Sequence, residues 1–156
     1  MNRGISFLIP NEYGRFISDI LELMDCKLYD WLIGSGHILN VVNDQLVDEE
    51  LFYGSEAIVS GSELSSRINC NLYYTIFADL KGFPKGKRIS IIETYEDYFQ
   101  SDCEIVLLIT DSIYVSVYSK DLLLLDLLHS NAISKGFQSV RYITDENDTR
   151  TEMVAW

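Results

Sequence analysis

The sequence is poor in the residues that small proteins use as staples and metal ligands. Its 156 residues include only three cysteines, two histidines and two prolines. Cys26, Cys70 and Cys103 are widely spaced and form no C-x-x-C, which argues against a disulfide framework or a zinc knuckle and fits reduced thiols in a cytoplasmic protein. His37 and His129 belong to no H-E-x-x-H, and no motif calls for a metal or cofactor. No apolar run approaches the roughly 18 residues of a membrane span, and the opening Ile5–Ile9 stretch, interrupted by Ser6, is too short for a signal-peptide core. Scarce proline and glycine argue against collagen-like and low-complexity classes. A single domain over residues 1–156 is therefore expected, long enough to bury a core unaided.

Positive charge is also scarce. Twelve Lys and Arg face twenty-four Asp and Glu, a formal net charge of −12. From Leu28 to Ser66 there is no Lys or Arg, while Asp30, Asp44, Asp48, Glu49, Glu50, Glu56 and Glu63 carry seven of those negative charges. Such a field repels nucleic acid and anionic membranes and attracts a basic protein partner. Acidity alone also serves solubility.

What the chain has in quantity is apolar periodicity. Ile5, Phe7 and Ile9 alternate as a first strand. Tyr13, Phe16, Ile17, Ile20, Leu21 and Met24 share one helical face, predicting a helix over 11–25 capped by Asn11. Strands are expected at 29–33 and 37–42, the second returning on the first through Gly34-Ser35-Gly36. The stretch Asp48-Glu49-Glu50 is expected to be an exposed connection, followed by a short strand over 57–60 and a helix over 63–68 capped by Ser62. Leu72 to Leu80 predicts a central strand, with Leu72, Tyr74, Ile76, Ala78 and Leu80 on one face and Tyr73, Thr75, Phe77 and Asp79 on the other; residues 82–87 form a loop. Thr94 caps a short helix. Residues 104–110 and 113–119 make a hairpin through Asp111-Ser112, then a helix follows over 120–135, capped by Ser119 and Gly136. Residues 138–144 are a strand, and 150–154 a closing hairpin. Adjacent strands predict an α+β fold, mainly antiparallel or mixed, with two longer helices and short helical turns.

Few of these residues combine into a chemical motif. Gly34-Ser35-Gly36 has Leu39 where a dinucleotide loop needs a third small residue, so a tight turn is expected. The 145–150 stretch lacks the glycine and the bidentate glutamate of an EF-hand. Asp126 and His129 pair at most as a surface contact. Lys81, Lys85, Lys87 and Arg88 surround Pro84 as a basic loop. Ten tyrosines exceed what a core needs, and such residues are enriched at interfaces. Tyr73, Tyr114 and Tyr118 occupy alternating strand positions and are expected to form a Tyr-rich sheet face. On the last helix, Leu122, Leu125, Leu128 and Ala132 form the core stripe. Leu123 and Leu127 make a second apolar patch, either covered by a loop or the segment ending in Trp156, or used in a homodimer.

Three stretches carry a family resemblance: Arg3-Gly4-Ile5-Ser6-Phe7 with Ile9-Pro10-Asn11-Glu12-Tyr13-Gly14; Phe77-Ala78-Asp79-Leu80-Lys81-Gly82-Phe83-Pro84-Lys85-Gly86; and Tyr142-Ile143-Thr144-Asp145-Glu146-Asn147-Asp148-Thr149-Arg150-Thr151. Together they resemble a family of small acidic proteins from Gram-positive, spore-forming bacteria, classed only as a domain of unknown function. The resemblance implies a bacterial, cytoplasmic, single-domain protein and brings no catalytic residue or cofactor. By analogy, size and acidity are similar to those of immunity proteins that neutralise toxins. The leading expectation is thus a non-enzymatic binding module, immunity- or antitoxin-like, that meets a basic partner through Asp48, Glu49, Glu50, Tyr73, Tyr114 and Tyr118. The alternatives are a small enzyme or ligand-binding protein with a pocket hidden from sequence, or a homo-oligomeric structural protein.

Overall fold

The computed structural model describes residues 1–52 and 58–155. Glu56, Trp156 and the expected strand start at Ala57 lie outside the described residues. The strands are β1 (Asn2–Leu8), β2 (Tyr29–Ile33), β3 (His37–Val42), β4 (Gln45–Glu50), β5 (Ile58–Ser60), β6 (Leu72–Pro84), β7 (Ile105–Thr110), β8 (Tyr114–Ser119) and β9 (Gln138–Thr144). The helices are α1 (Phe16–Ile20), α2 (Gly61–Cys70), α3 (Tyr95–Gln100) and α4 (Leu122–Ser134), with a short 3-10 helix at Cys26–Leu28. The strands join in one sheet of order β4-β3-β6-β7-β8-β1-β9, with β2 paired to β6 and β5 paired to β2. Every named pair is antiparallel, as an α+β reading requires.

Strand alternation gives the sheet two apolar faces. Ile5, Phe7, Leu80, Leu107, Ile109 and Val117 point toward α1, α2 and α4 and join the larger core. Phe83, Val106, Leu108, Tyr118 and Ile143 point the other way, where Tyr98 of α3, Cys103 and Met153 cover them. Strand β7 is buried on both faces, which explains its unbroken apolar run Ile105–Ile109.

The long strand β6 holds the architecture together. Residues Pro84 to Leu80 pair with β2, and Phe77 to Leu72 pair with β3 along the same edge. The expected β2–β3 hairpin is therefore corrected: the two strands are successive pieces of one edge. Gly34-Ser35-Gly36 does not reverse the chain but carries it past Asp79. A Cβ on Gly34 would lie 2.6 Å from the Asp79 carboxyl carbon, and one on Gly36 would lie 2.8 Å from the Phe77 carbonyl oxygen. Close approach, not turning, demands these glycines. A bulge corrects the expected face of β6 as well. His37 faces Phe77 while Ile38 faces Thr75, so β6 holds one extra residue. Tyr73 and Thr75 are thereby buried below the bulge, and Ala78 and Leu80 face the larger core above it. Strand pairing also extends β6 to Pro84, through what the sequence suggested was loop.

The first helix is shorter than its periodicity. Gly14 exchanges both backbone hydrogen bonds with Tyr73, at 3.1 and 3.0 Å, which holds the chain before α1 extended. Asn11 caps nothing; its side-chain oxygen accepts from the Tyr74 hydroxyl. Ile17, Ile20 and Leu21 are buried as expected, but Tyr13 is 45% exposed. At the other helices the caps shift slightly. Ser60 caps α2 in place of Ser62, and Asp121 caps α4 in place of Ser119, accepting from the Leu123 and Leu124 amides. Leu125, Leu128 and Ala132 are buried, while Leu122 is 43% exposed and leaves the core stripe. Asn131 is buried too: its amide nitrogen donates to the Asp19 and Ile20 carbonyls, tying α4 to α1. Residues 150–154 form no hairpin; Glu152 makes a single bridge with Thr94.

Candidate functional site

Two surfaces at opposite ends of the sheet carry the polar chemistry. The first is the β3–β4 hairpin. Asn43 and Asp44 both adopt positive φ, 52° and 61°, which suits a two-residue hairpin turn. The acidic stretch is not a connection, as the sequence suggested, but the body of β4. Among the described residues this strand ends the sheet and pairs only with β3. Asp48 and Glu49 are exposed and make no ion pair among the described residues. Glu50 is different. One carboxylate oxygen lies 2.7 Å from Nδ1 of His37 and the other accepts from the Ile38 amide, so Glu50 pins β4 to β3. Exposed Val42 and Leu46 lie beside the acids.

The three tyrosines do not assemble into one face. Tyr73 is buried on the α1/α2 side, where its hydroxyl donates to the Ile68 carbonyl and accepts from the Ser18 amide. Tyr118 is buried on the opposite side, with its hydroxyl on Asp148. Only Tyr114 is exposed. The β6 bulge is the physical reason, since it turns Tyr73 inward toward the helices. Burial raises the pKa of both buried phenols. Lys81 also leaves the expected basic loop: it is buried, with its ammonium on Asp79. On α4, Leu123 is 78% and Leu127 50% exposed, so the described residues do not cover them.

The second surface is a groove of about 590 Å³ on the face opposite α4, between β8, β1 and β9 and the segment 147–155. On its floor, Ser6 of β1 pairs with Ser116 of β8 on one side and with Arg141 of β9 on the other. Arg141 donates through Nε to the Ser6 hydroxyl at 3.3 Å. Arg150 lines the far wall and donates to the carbonyls of Glu152 and Val154. The wall is fixed by Asp148, whose carboxylate accepts from the Tyr118 hydroxyl, the Arg3 guanidinium and the Arg150 amide. Beside it, Arg3 also donates to Asp145 at 2.8 Å, and this bond holds the Asp145 carboxyl below its ordinary range. The sequence pointed to none of this except Tyr118. Serines at alternate positions of two apolar strands were the available signal, but only the sheet order makes them neighbours.

These features define a class of protein: an antiparallel α+β domain with an acidic edge hairpin at one end of its sheet and a polar groove at the other. More particularly, a family described as "Protein of unknown function (DUF2691)" matches residues 2–154, and the chain belongs to it. The resemblance carried by residues 3–14, 77–86 and 142–151 therefore holds. The chain is 48% identical over 153 residues to a protein of Bacillus subtilis (strain 168) described as "Uncharacterized protein YncE", an overlap of 98% of this chain and 99% of that relative. No solved structure matches it. Among the described residues, no helix is long and apolar enough to cross a membrane.

Proposed function

We propose that the protein is a non-enzymatic, cytoplasmic binding module that docks a basic protein surface on its acidic edge hairpin, in the manner of an immunity or antitoxin protein. The observation that supports this most directly is β4. Among the described residues it is a sheet edge with no second strand neighbour, its Asp48 and Glu49 exposed and without an ion pair and Leu46 beside them. An edge of this kind offers main-chain hydrogen bonds, and its carboxylates select for positive charge. The same charges also discourage edge-to-edge pairing between copies, and the experiment must separate the two roles. Asp48→Asn with Glu49→Gln removes charge while keeping shape and leaves the Glu50–His37 contact intact. A partner captured from the native cell should associate with this variant about tenfold more slowly at low salt, with the difference vanishing at high salt. An unchanged association rate at low salt, or a captured partner of acidic composition, overturns the reading.

A second contact, between two copies of the chain, is proposed through Leu123 and Leu127, supported by their exposure on one side of α4.

A further inference from the structure

We propose that the groove between β8, β1, β9 and the 147–155 segment binds a small phosphate ester with a hydroxylated body, independently of the acidic hairpin. The argument is a donor inventory. Arg141 spends one N–H on Ser6, and its remaining guanidinium donors meet no acceptor among the described residues. Ser6 accepts that bond and keeps its own hydroxyl proton to offer. Ser116 lines the same floor, and its hydroxyl has no hydrogen-bond partner among the described residues. Arg150 gives Nη1 to two backbone carbonyls, which fixes the guanidinium, and its other amino group meets no acceptor among the described residues.

The inner carboxylate does not cancel this set. Asp148 is already held by Arg3, by the Tyr118 hydroxyl and by the Arg150 amide. Its charge is thus spent on the wall. Glu152 is the other carboxylate of the lining and is exposed to water. A groove rich in donors and poor in free acceptors selects an acceptor-rich ligand. Guanidinium groups match the oxygens of phosphate with two parallel N–H bonds, and serine and threonine hydroxyls suit a polyol. The volume, about 590 Å³, lies within the usual range for small-molecule sites. The net charge of −12 opposes an anion only at long range, because salt screens exposed charges beyond about 8 Å. Arrangement of the site also fits a fixed ligand. Floor and one wall are strands of the sheet, and the other wall is held to β1 and β8 through Asp148.

Calorimetric titration of the full chain with inorganic phosphate, glucose 6-phosphate and glucose tests the proposal. Saturable binding of both phosphates is expected, tighter for the sugar phosphate, with none for glucose. Arg141→Gln, a change at an exposed side chain, should weaken binding tenfold or more, the usual effect of losing one charged hydrogen bond. Glu152→Gln should tighten it by removing a like charge. Ser116→Leu should fill the floor and abolish binding; an unchanged circular dichroism spectrum would show that the fold survives. If that variant does not fold, the Arg141 and Glu152 pair decides alone. The proposal fails if neither phosphate saturates, if Arg141→Gln binds as well as the parent, or if Glu152→Gln binds more weakly.

Discussion

Lys81 and Asp79 form an ion pair on one face of β6, two residues apart and closed off from solvent. Burial raises the pKa of Asp79, while the neighbouring ammonium and a hydrogen bond from the Ala155 backbone oppose that shift. The register pairs Asp79 with Leu108 and Lys81 with Val106, two residues of the smaller core. The Asp79 carboxyl also leaves room for nothing larger than glycine at position 34.

Breaking this pair on one side should cost more than replacing it. Lys81→Met leaves a buried carboxylate without its counter-ion, and a loss of about 3–5 kcal/mol is expected. Asp79→Asn combined with Lys81→Met removes both charges and keeps an acceptor for Ala155, so most of that loss should return. Denaturant unfolding of the three proteins measures this. A double variant as unstable as Lys81→Met alone contradicts it.

Helix α4 should respond differently on its two sides. Leu128 is buried, so Leu128→Ala should cost about 2–5 kcal/mol. Leu123→Ser with Leu127→Ser should stay within about 0.5 kcal/mol per site in the monomer, because both side chains are exposed. Sedimentation of the double serine variant reads the proposed contact between copies. A smaller particle than the parent supports it, and an identical mass for both removes it.

The capping box of α3 supplies an acid-sensitive contribution to stability. Asp97 accepts from the Glu93 and Thr94 amides, and the Thr94 hydroxyl accepts from the Asp97 amide. The bonds from Glu93 first, then Thr94, hold the Asp97 carboxyl below its ordinary value. A lowered folded-state pKa stabilises the fold above the unfolded pKa, about 3.9, and that contribution disappears as pH falls through the folded value. Melting curves of the parent and Asp97→Asn should therefore differ near neutral pH and converge in acid. A constant gap across the pH range would show that the carboxylate charge is not the source.

Much of the sheet was legible because alternation and turn chemistry are local. Strands 29–33, 37–42 and 138–144 and the Asp111-Ser112 hairpin all form. The connection is one residue longer than the two expected: Thr110 faces Tyr114, so Asp111, Ser112 and Ile113 form a three-residue loop, with Asp111 and Ser112 at positive φ, 51° and 70°. The misread places are those where a distant backbone intervenes. Tyr73 pairs with Gly14 and shortens the first helix, and one extra residue in β6 turns Tyr73 away from the face expected for it. The acids at 48–50 read as a loop because a polar run mimics irregular chain, yet an edge strand such as β4 tolerates charge on its open side. The groove was hidden for a further reason. Ser6, Ser116 and Arg141 become neighbours only through the order β8-β1-β9, which no local pattern encodes.

The position of β1 also sets an order of assembly. Among the described strands it comes earliest in the sequence, yet its partners are β8 and β9, and Asn2 meets Thr144. Through most of synthesis its Ile5 and Phe7 have no neighbouring strand, while the β6–β7 pair can already form. The growing chain thus carries an apolar strand that waits for β8 and β9, a long-range closure of the kind that slows folding.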